Sequence, residues 1–268
     1  IDTTNPPGNE IEAARFLGKI LAHEGIPHAI YESRPGRASL VARLKGDGTG
    51  RPLLLLNHMD VVGVERGEWS VEPFSGVVKD GFIWGRGALD MKGMGIMQLM
   101  AMLRAKRSGL KLSRDIIFLA VADEEANGSL GAKWMFENHP DEVDCEFVLN
   151  EGSYGIADYA GLNRPLFPVS TAEKGPIWLR IVTRGEAGHG SMPPDAHAVH
   201  RLAGILNRLV TWKHKPVLSP EIASLLITIG RHMRTPMAGW LLRRSASPLV
   251  WLLLKPFLMR IKTMRSML

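Results

Sequence analysis

The strongest constraint on the fold is a set of short apolar runs, each of which ends in an acidic residue or a histidine. Leu53–Leu56 leads into His58, and Ile116–Val121 leads into three consecutive acids. Ligands of open α/β sheets bind beyond the carboxyl ends of the strands, so these side chains are expected to converge. A pocket so rich in carboxylates repels itself unless cations occupy it. The sequence therefore predicts a site for more than one metal ion, built from His58, Asp60, Asp90, Glu124, Glu125 and Glu151.

Helix and strand patterns alternate along the first part of the chain. Glu10–Glu24 repeats apolar residues with the helical period and stops at Gly25. Asp115–Val121 is almost wholly apolar, as expected of a central strand that is buried on both faces. The alternation predicts an α/β fold with a mostly parallel sheet flanked by helices. The other predicted strands cover residues 27–32, 38–44, 52–57 and 146–149, and the other predicted helices cover 92–106 and 130–138.

The pattern changes near residue 174, and we expect a second, smaller domain from there on. The predicted organisation is a metal-binding domain over residues 1–174 and a second domain over 175–268. A strand over Ile177–Thr183, a glycine-rich loop around His189 and a helix over Pro194–Leu209 are predicted to open the second domain. Prolines are expected to break the segment from residue 216 onward into short helices.

Composition and charge narrow the functional classes. The formal net charge is +6, and much of the basic excess follows residue 200. Basic patches can bind nucleic acid or anionic lipid, but we interpret these residues as solvated helix faces. No zinc-finger, KH or RRM signature accompanies them, so no nucleic-acid partner is expected. The most apolar stretch, Pro248–Leu258, is interrupted by Lys255 and Pro256 and is too short to cross a bilayer.

The cysteine content and the first residues bear on the compartment. The single cysteine, Cys145, excludes an intramolecular disulfide framework and a cysteine-rich zinc site, and we expect it to be a small core residue. The sequence starts at Ile1 without an initiator Met, and nothing in it resembles a signal peptide. We expect a cytoplasmic protein by default, with export left open in case an N-terminal segment is removed.

The residue types at the ends of the apolar runs suit divalent-metal chemistry. Strand alternation sends His58 and Asp60 to the same side, so the histidine can bind a metal while the acid fixes its second ring nitrogen. A glycine-rich loop presents Asp90. Of the adjacent acids Glu124 and Glu125, one can be a ligand while the other acts as a general base on a water molecule. Oxygen and imidazole ligands together fit Zn²⁺ or a comparable ion.

These motifs resemble the zinc aminoacylase, glutamate carboxypeptidase and succinyl-diaminopimelate desuccinylase family of co-catalytic metallopeptidases. The sequence is most similar to the carboxypeptidase-S-like branch, on Asp60-Val61-Val62 and the Trp69–Gly76 insert. The resemblance extends over nearly everything before residue 200, including Thr4–Glu10, which resembles the start of the family's catalytic domain. The other matching motifs are His58-Met59-Asp60, Gly85–Gly93, Asp123-Glu124-Glu125, Asn150-Glu151-Gly152 and Gly188–Ser191.

The resemblance implies a role for each site residue. Two zinc ions, or Co²⁺ or Mn²⁺ in their place, would be bridged by Asp90. His58 and Glu151 would bind the first ion, and Glu125 would bind the second. Glu124 would be the general base, and Asp60 would orient His58. The Asp90–Met91 peptide would be cis, and His189 would help to stabilise the reaction's oxyanion, often across a dimer interface.

The same resemblance implies an architecture and a reaction. The catalytic domain would have the phosphorylase/hydrolase-like α/β fold, and residues 175–268 would be the start of an inserted α+β lid or dimerisation domain. The substrates would be N-acyl amino acids or small peptides with a free C-terminus. A homodimer would form through the lid.

One departure from the family pattern concerns the second metal. In the family, the chain returns from the lid to the catalytic domain and supplies a last histidine ligand. The later histidines here are His197, His200, His214 and His232, and none has that sequence context. We therefore interpret the sequence as truncated at Leu268 and expect this piece alone to be inactive or nearly so. Two alternatives stay open: an aminopeptidase with a related site, which usually lacks the lid, and a non-catalytic protein that keeps the fold without the activity.

Overall fold

A five-stranded mixed sheet organises the first 151 residues. In spatial order its strands are β1 (His28–Arg34), β2 (Arg37–Leu44), β6 (Arg114–Val121), β3 (Gly50–His58) and β7 (Phe147–Leu149). β3 runs parallel to β6 and β7, whereas β2 pairs antiparallel with both β1 and β6. The predicted α/β fold is confirmed, and the parallel pairing is confined to β6, β3 and β7. β1 and β2 are antiparallel because a tight turn at Gly36 (φ 82°) joins them directly.

The structure, a computed structural model, describes residues 1–152, 155–159, 161–170, 175, 177–191, 197–212 and 215–268. These residues divide into two units, Ile1–Glu151 and Gly152–Leu268. The predicted boundary at residue 174 lies outside the described residues, and the assignment of 1–174 and 175–268 to two functional domains stays a prediction. Besides the sheet, the first unit contains α1 (Glu10–His23), α2 (Lys92–Arg107), α3 (Ala132–Asn138), α4 (Pro140–Val143) and a hairpin of β4 (Val77–Lys79) and β5 (Phe82–Trp84), which the sequence reading did not predict.

β6 lies at the centre of the sheet and is buried on both faces. Phe118 belongs to the core that α1 and α2 form on one face, together with Leu21 and Met102. Leu119, the next residue, belongs to the core on the opposite face, together with Met135 of α3. Successive side chains of a strand point to opposite faces, so a strand covered on both sides needs an unbroken apolar sequence. The prediction of a central buried strand at 115–121 is therefore confirmed.

The second unit is mainly helical from Ala198 onward in its described part. Its helices are α5 (Ala198–Thr211), α6 (Pro220–Arg231), α7 (Pro236–Arg243), α8 (Pro248–Leu258) and α9 (Lys262–Met267). Three of them begin with proline, which is tolerated in a first helical turn because its missing N–H would have no helical partner there. Leu226, Leu254 and Met264 join α6, α8 and α9 in a small core. None of the described helices combines the length and the apolar character that a membrane span requires.

Two predictions for the second unit need comment. The strand predicted over Ile177–Thr183 is wrong: these residues form no strand, and Ile177 and Trp178 are mostly exposed. Alternation alone cannot make a strand, because its backbone groups need a hydrogen-bonded neighbour, and the described residues supply none here. The helix predicted over Pro194–Leu209 is observed from Ala198 onward, while residues 192–196 lie outside the described residues.

Gly131 sets how closely α3 approaches the end of β6. A Cβ at this position would lie 1.7 Å from the carbonyl oxygen of Ala122, and a backbone atom cannot rotate away. We expect Gly131→Ala to lower the free energy of unfolding by about 1–3 kcal/mol, because the overlap forces the backbone to shift. Denaturant unfolding followed by circular dichroism measures the change. Gly63→Ala is the matched control, since nothing lies within 4 Å of its added Cβ; an equal loss in both variants would contradict the steric explanation.

Candidate metal centre

The parallel register of β3 and β6 brings their carboxyl ends to the same edge of the sheet. His58, the last residue of β3, pairs with Val121, the last residue of β6. Beyond β6 the backbone adopts a left-handed conformation at Asp123 (φ 67°) and then forms a 3-10 turn over Glu124–Ala126. We call residues 123–126 the acid turn. The register explains why Glu124 and Glu125 of this turn lie next to the buried imidazole of His58.

Carboxylates from separate segments surround the imidazole of His58. Its Nε2 lies 3.2 Å from Asp90 Oδ1 and 3.3 Å from Glu151 Oε2. The same nitrogen lies 3.8 Å from Glu124 Oε2. Two sets of three side chains could each hold a metal ion, because the ligand atoms within each set lie within 4.8 Å of one another. Both sets include His58. One set adds Glu124 and Glu151, and the other adds Asp90 and Glu125. The structure thus brings five of the six predicted residues together as possible ligands, and the sixth, Asp60, lies on the other side of the imidazole.

The two sets do not by themselves assign ligand roles. Glu124, predicted as the general base, lies in the same set as Glu151, and Asp90 lies with Glu125. The assignment of Asp90 as the bridging ligand and of Glu124 as the base stays a prediction. The cis peptide predicted between Asp90 and Met91 is confirmed.

Asp60 is completely buried and holds the acid turn in place. Its Oδ1 accepts a hydrogen bond from the backbone N–H of Glu124 at 3.1 Å, and its Oδ2 accepts one from Glu125 at 3.0 Å. The side-chain amide of Asn5 donates a third at 2.8 Å. Its Oδ1 also lies 3.5 Å from His58 Nδ1. The backbone oxygen of Asp60 is closer to the same nitrogen, at 3.0 Å. Asp60 therefore contacts both the imidazole and the turn, and its predicted role in orienting His58 stays a prediction.

A buried ion-pair network supports the acid turn from behind. Arg37 donates to both carboxylate oxygens of Glu10 at 2.8 Å, and its Nη2 also donates to Asp123 Oδ1 at 3.0 Å. Glu10 Oε1 in turn accepts the backbone N–H of Asp123 at 3.3 Å. Asn5 joins this network to Asp60, because its amide also donates to Asp123 Oδ1 at 3.1 Å. Hydrogen bonds to both the backbone N–H and the side chain of Asp123 therefore stabilise its left-handed conformation.

Sequence reasoning missed Asn5, Glu10 and Arg37 as parts of the site. Asn5 and Glu10 lie within the matched Thr4–Glu10 motif, but the motif does not indicate their partners, which are up to 118 residues away. The full burial of Glu10 at the start of α1 requires a partner, because a charged residue is rarely buried alone, but this burial is evident only from the structure.

Burial and mutual repulsion raise the pKa values of three glutamates beside His58. For Glu124, Glu125 and Glu151, burial is the largest cause and the charges of neighbouring carboxylates add to it. Burial alone would lower the pKa of His58, but its contact with Asp60 and the charges of Glu124 and Glu151 raise it to about 9. For Asp60, burial alone would raise the pKa, because it disfavours the charged carboxylate. Hydrogen bonds with His58, Asn5 and the Glu125 N–H outweigh burial, and the pKa of Asp60 is lowered.

The donor set fits a divalent cation. Imidazole nitrogen and carboxylate oxygen are ligands that Zn²⁺ accepts, and the raised carboxyl pKa values indicate a site short of positive charge. In the described part of the chain, neither ligand set contains a histidine other than His58. His197, His200 and His232 belong to the second unit, and His214 lies outside the described residues.

His189 belongs to the second unit and is exposed. Its Nδ1 lies 2.8 Å from Ser191 Oγ and accepts the backbone N–H of Ser191 at 3.3 Å. These contacts leave Nε2 free of any hydrogen bond to a described residue. The predicted role of His189 in stabilising an oxyanion stays a prediction.

An α/β sheet that collects one imidazole and several carboxylates at the ends of parallel strands defines a class of divalent-metal sites. The comparisons with known proteins agree with this class. Residues 54–233 match peptidase family M20/M25/M40. This range includes every predicted site residue from His58 to His189. The chain belongs to this family, whose metallopeptidases use divalent metal ions.

Individual relatives point to the same family. The chain is 33% identical to aminoacylase-1 of Sus scrofa over 219 residues, which are 80% of this chain and 52% of that protein. It is 34% identical to a probable carboxypeptidase S-like 2 of Dictyostelium discoideum over 74% of this chain and 39% of that protein. Among solved structures, the M20 family metallo-carboxypeptidase Sso-CP2 of Sulfolobus solfataricus matches with a TM-score of 0.52 and 25% identity, over 58% of this chain and 35% of that one. At best, the chain spans about half the length of these curated relatives.

The ion pair of Arg37 and Glu10 gives a stability test. Arg37→Met leaves Glu10 fully buried without its positive partner, so we expect a loss of about 3–5 kcal/mol in the free energy of unfolding. The control is Arg15→Met on α1, the helix that contains Glu10. It breaks the ion pair of Arg15 with Glu12, in which both side chains are more than half exposed, and we expect it to lower the free energy of unfolding by less than about 1 kcal/mol. Chemical denaturation compares the two variants. A similar small loss in both would show that the buried network does not stabilise the chain.

The raised pKa of His58 makes metal binding release protons. At pH 7 the imidazole is protonated, because this pH lies below its pKa of about 9, and a metal-bound imidazole must be neutral. We expect Zn²⁺ binding at pH 7 to release about one proton from His58, and fewer as the pH rises through 9. Calorimetric titration in buffers of different ionisation enthalpy counts the protons. A binding enthalpy that is independent of the buffer would contradict this expectation.

Proposed function

We propose that this chain carries the metal-binding part of a hydrolase that cleaves the amide bond of N-acyl amino acids or of small peptides with a free C-terminus. The observation that carries the proposal is the pair of ligand sets that share His58 at the ends of β3 and β6. Membership of the peptidase family supports hydrolysis. The printed names of the relatives, an aminoacylase and a carboxypeptidase, support the two substrate classes.

Two zinc ions would be held by the residues gathered at this edge of the sheet. His58 and Glu151 would bind the first ion, Glu125 would bind the second, and Asp90 would contact both. Bound zinc would supply Lewis acidity, which polarises the scissile carbonyl and lowers the pKa of water. Co²⁺ or Mn²⁺ would be accepted by the same oxygen and nitrogen donors.

Glu124 would transfer the proton. Its carboxyl is half exposed, and burial together with the charges of its neighbours raises its pKa, as suits a group that must take up a proton near neutral pH. The hydrogen bond from its backbone N–H to Asp60 holds its position. Glu124 would accept a proton from the attacking water and deliver it to the leaving amine nitrogen.

Substrate turnover would need more than the described first unit. The set of Asp90 and Glu125 has only His58 as a nitrogen donor among the described residues, and His58 also serves the other set. We therefore propose that a further histidine completes the second ion's site and that the 268-residue chain alone is inactive or nearly so. His189 would stabilise the oxyanion. A homodimer through the second unit and a cytoplasmic location are further parts of the proposal.

Glu124→Gln tests the proposed base. In the complete protein as its gene encodes it, we expect chelator-sensitive hydrolysis of N-acyl amino acids. The variant should lower kcat by about 10²–10⁴-fold, because the amide cannot accept the proton, while the zinc content stays at about two per chain. Glu68→Gln makes the same chemical change in an exposed turn and should leave kcat unchanged.

The outcomes separate the alternatives. Loss of zinc in Glu124→Gln would make Glu124 a ligand, and unchanged kcat would remove it from catalysis. Absence of zinc in the unaltered protein would favour the non-catalytic alternative. Measurable hydrolysis by the purified 268-residue chain would overturn its proposed inactivity.

A further inference from the structure

The last part of the chain has an unusual charge distribution. Residues 222–268 contain no acidic side chain, whereas they contain eight arginines and lysines: Arg231, Arg234, Arg243, Arg244, Lys255, Arg260, Lys262 and Arg265. The first unit, residues 1–151, has an excess of negative charge, with 22 acidic and 17 basic side chains. The positive charge of the protein is therefore concentrated in residues 222–268, and no acid within that segment neutralises it.

The helix α8 is apolar on two faces. Val250, Leu254 and Leu258 form the face that packs against the core of the second unit. The opposite face forms an exposed apolar stripe, which we define as Leu249, Leu252, Leu253 and Phe257, with exposed fractions of 77%, 70%, 62% and 65%. Surface helices normally present polar side chains to water, so an apolar outer face indicates a surface that meets another apolar phase.

Two arginine side chains lie over exposed aromatic rings of these helices, and one of the rings belongs to the stripe. The guanidinium carbon of Arg260 is 5.9 Å from the ring centroid of Phe257, which belongs to the apolar stripe. The guanidinium carbon of Arg244 is 4.4 Å from the ring centroid of Trp240 on α7. Lys255 lies within α8 itself and is partly exposed. Positive charge and exposed apolar surface therefore occur together.

We propose that α7–α9 dock on the surface of a membrane that contains anionic lipid. The apolar stripe enters the boundary between headgroups and acyl chains, and the neighbouring arginines and lysines contact the phosphate groups. Helices that lie in a membrane interface combine these two features, with basic residues at the headgroups and Leu, Phe or Trp below them. The helices are too short to span, and none is required to do so.

The same observations disfavour two other occupants. A second copy that paired the same surface with this one would bring two groups of eight positive charges together, and these groups repel one another. A nucleic acid would neutralise the charges but offers no partner for a leucine-rich stripe, because its affinity comes from phosphate contacts and base stacking. An anionic bilayer satisfies both the charge and the apolar surface.

Vesicle flotation tests the proposal with the 268-residue chain. We expect about tenfold more protein to float with phosphatidylcholine vesicles containing phosphatidylglycerol than with phosphatidylcholine alone, and the difference to shrink at high salt. The double variant Leu252→Glu with Leu253→Glu should lower flotation by about tenfold, because it places two carboxylates in the stripe. Leu110→Glu is the matched control: Leu110 is 61% exposed but belongs to the first unit, so its flotation should equal that of the unaltered chain.

A charge variant and a folding check complete the design. Lys255→Glu with Arg260→Glu should abolish the preference for anionic vesicles, and circular dichroism should show that all variants keep their helix content. Equal flotation with both kinds of vesicle, or none, would overturn the proposal. So would an oligomer that the two leucine substitutions dissociate without any vesicle binding, which would identify a second copy as the occupant. Tight binding of a single-stranded RNA that the leucine substitutions leave unchanged would point to nucleic acid instead.

Discussion

The carboxylate of Asp60 is the contact on which the candidate site depends. It is completely buried, and it accepts hydrogen bonds from the backbone N–H groups of Glu124 and Glu125 and from the side chain of Asn5. A buried carboxylate is tolerated only when hydrogen bonds and a nearby positive charge replace water. Here the donors include the two residues whose side chains must face His58. The group that stabilises the buried charge therefore also directs the acid turn.

The network of Glu10, Arg37 and Asp123 extends this support to the rest of the first unit. It links the start of α1, the start of β2 and the second residue after β6, which are far apart in the sequence. A site of this kind places carboxylates close enough to raise one another's pKa, and the structure must resist the repulsion. Buried hydrogen-bonded pairs provide that resistance, and a bound divalent cation would remove its cause.

The sequence predicts most of the secondary structure of the first unit because its patterns are local. The period of the apolar residues indicates α1 and α2, because a helix that is buried on one face repeats apolar residues at the helical period. The unbroken apolar sequence of β6 indicates its central position, because a central strand is buried on both faces. The acids and the histidine could be expected to meet because parallel strands end at one edge. The contacts of Asn5, Glu10 and Arg37 could not be predicted, because they depend on tertiary pairing between distant segments. The strand expected over Ile177–Thr183 failed for a related reason, since alternation does not supply the neighbouring strand.

The most direct test of the metal centre is a crystal of the protein soaked in Zn²⁺, with diffraction data collected at the zinc absorption edge. We expect anomalous difference density within about 2.0–2.2 Å of His58 Nε2, with carboxylate oxygens of Asp90 and Glu151 at similar distances. A second peak is expected between Asp90 and Glu125, weaker because its protein ligands are fewer. Asp60→Asn should weaken both peaks, because an amide gives the acid turn one fewer acceptor. Absence of density at His58, or zinc bound only elsewhere on the chain, would contradict the assignment of this edge of the sheet as a metal site.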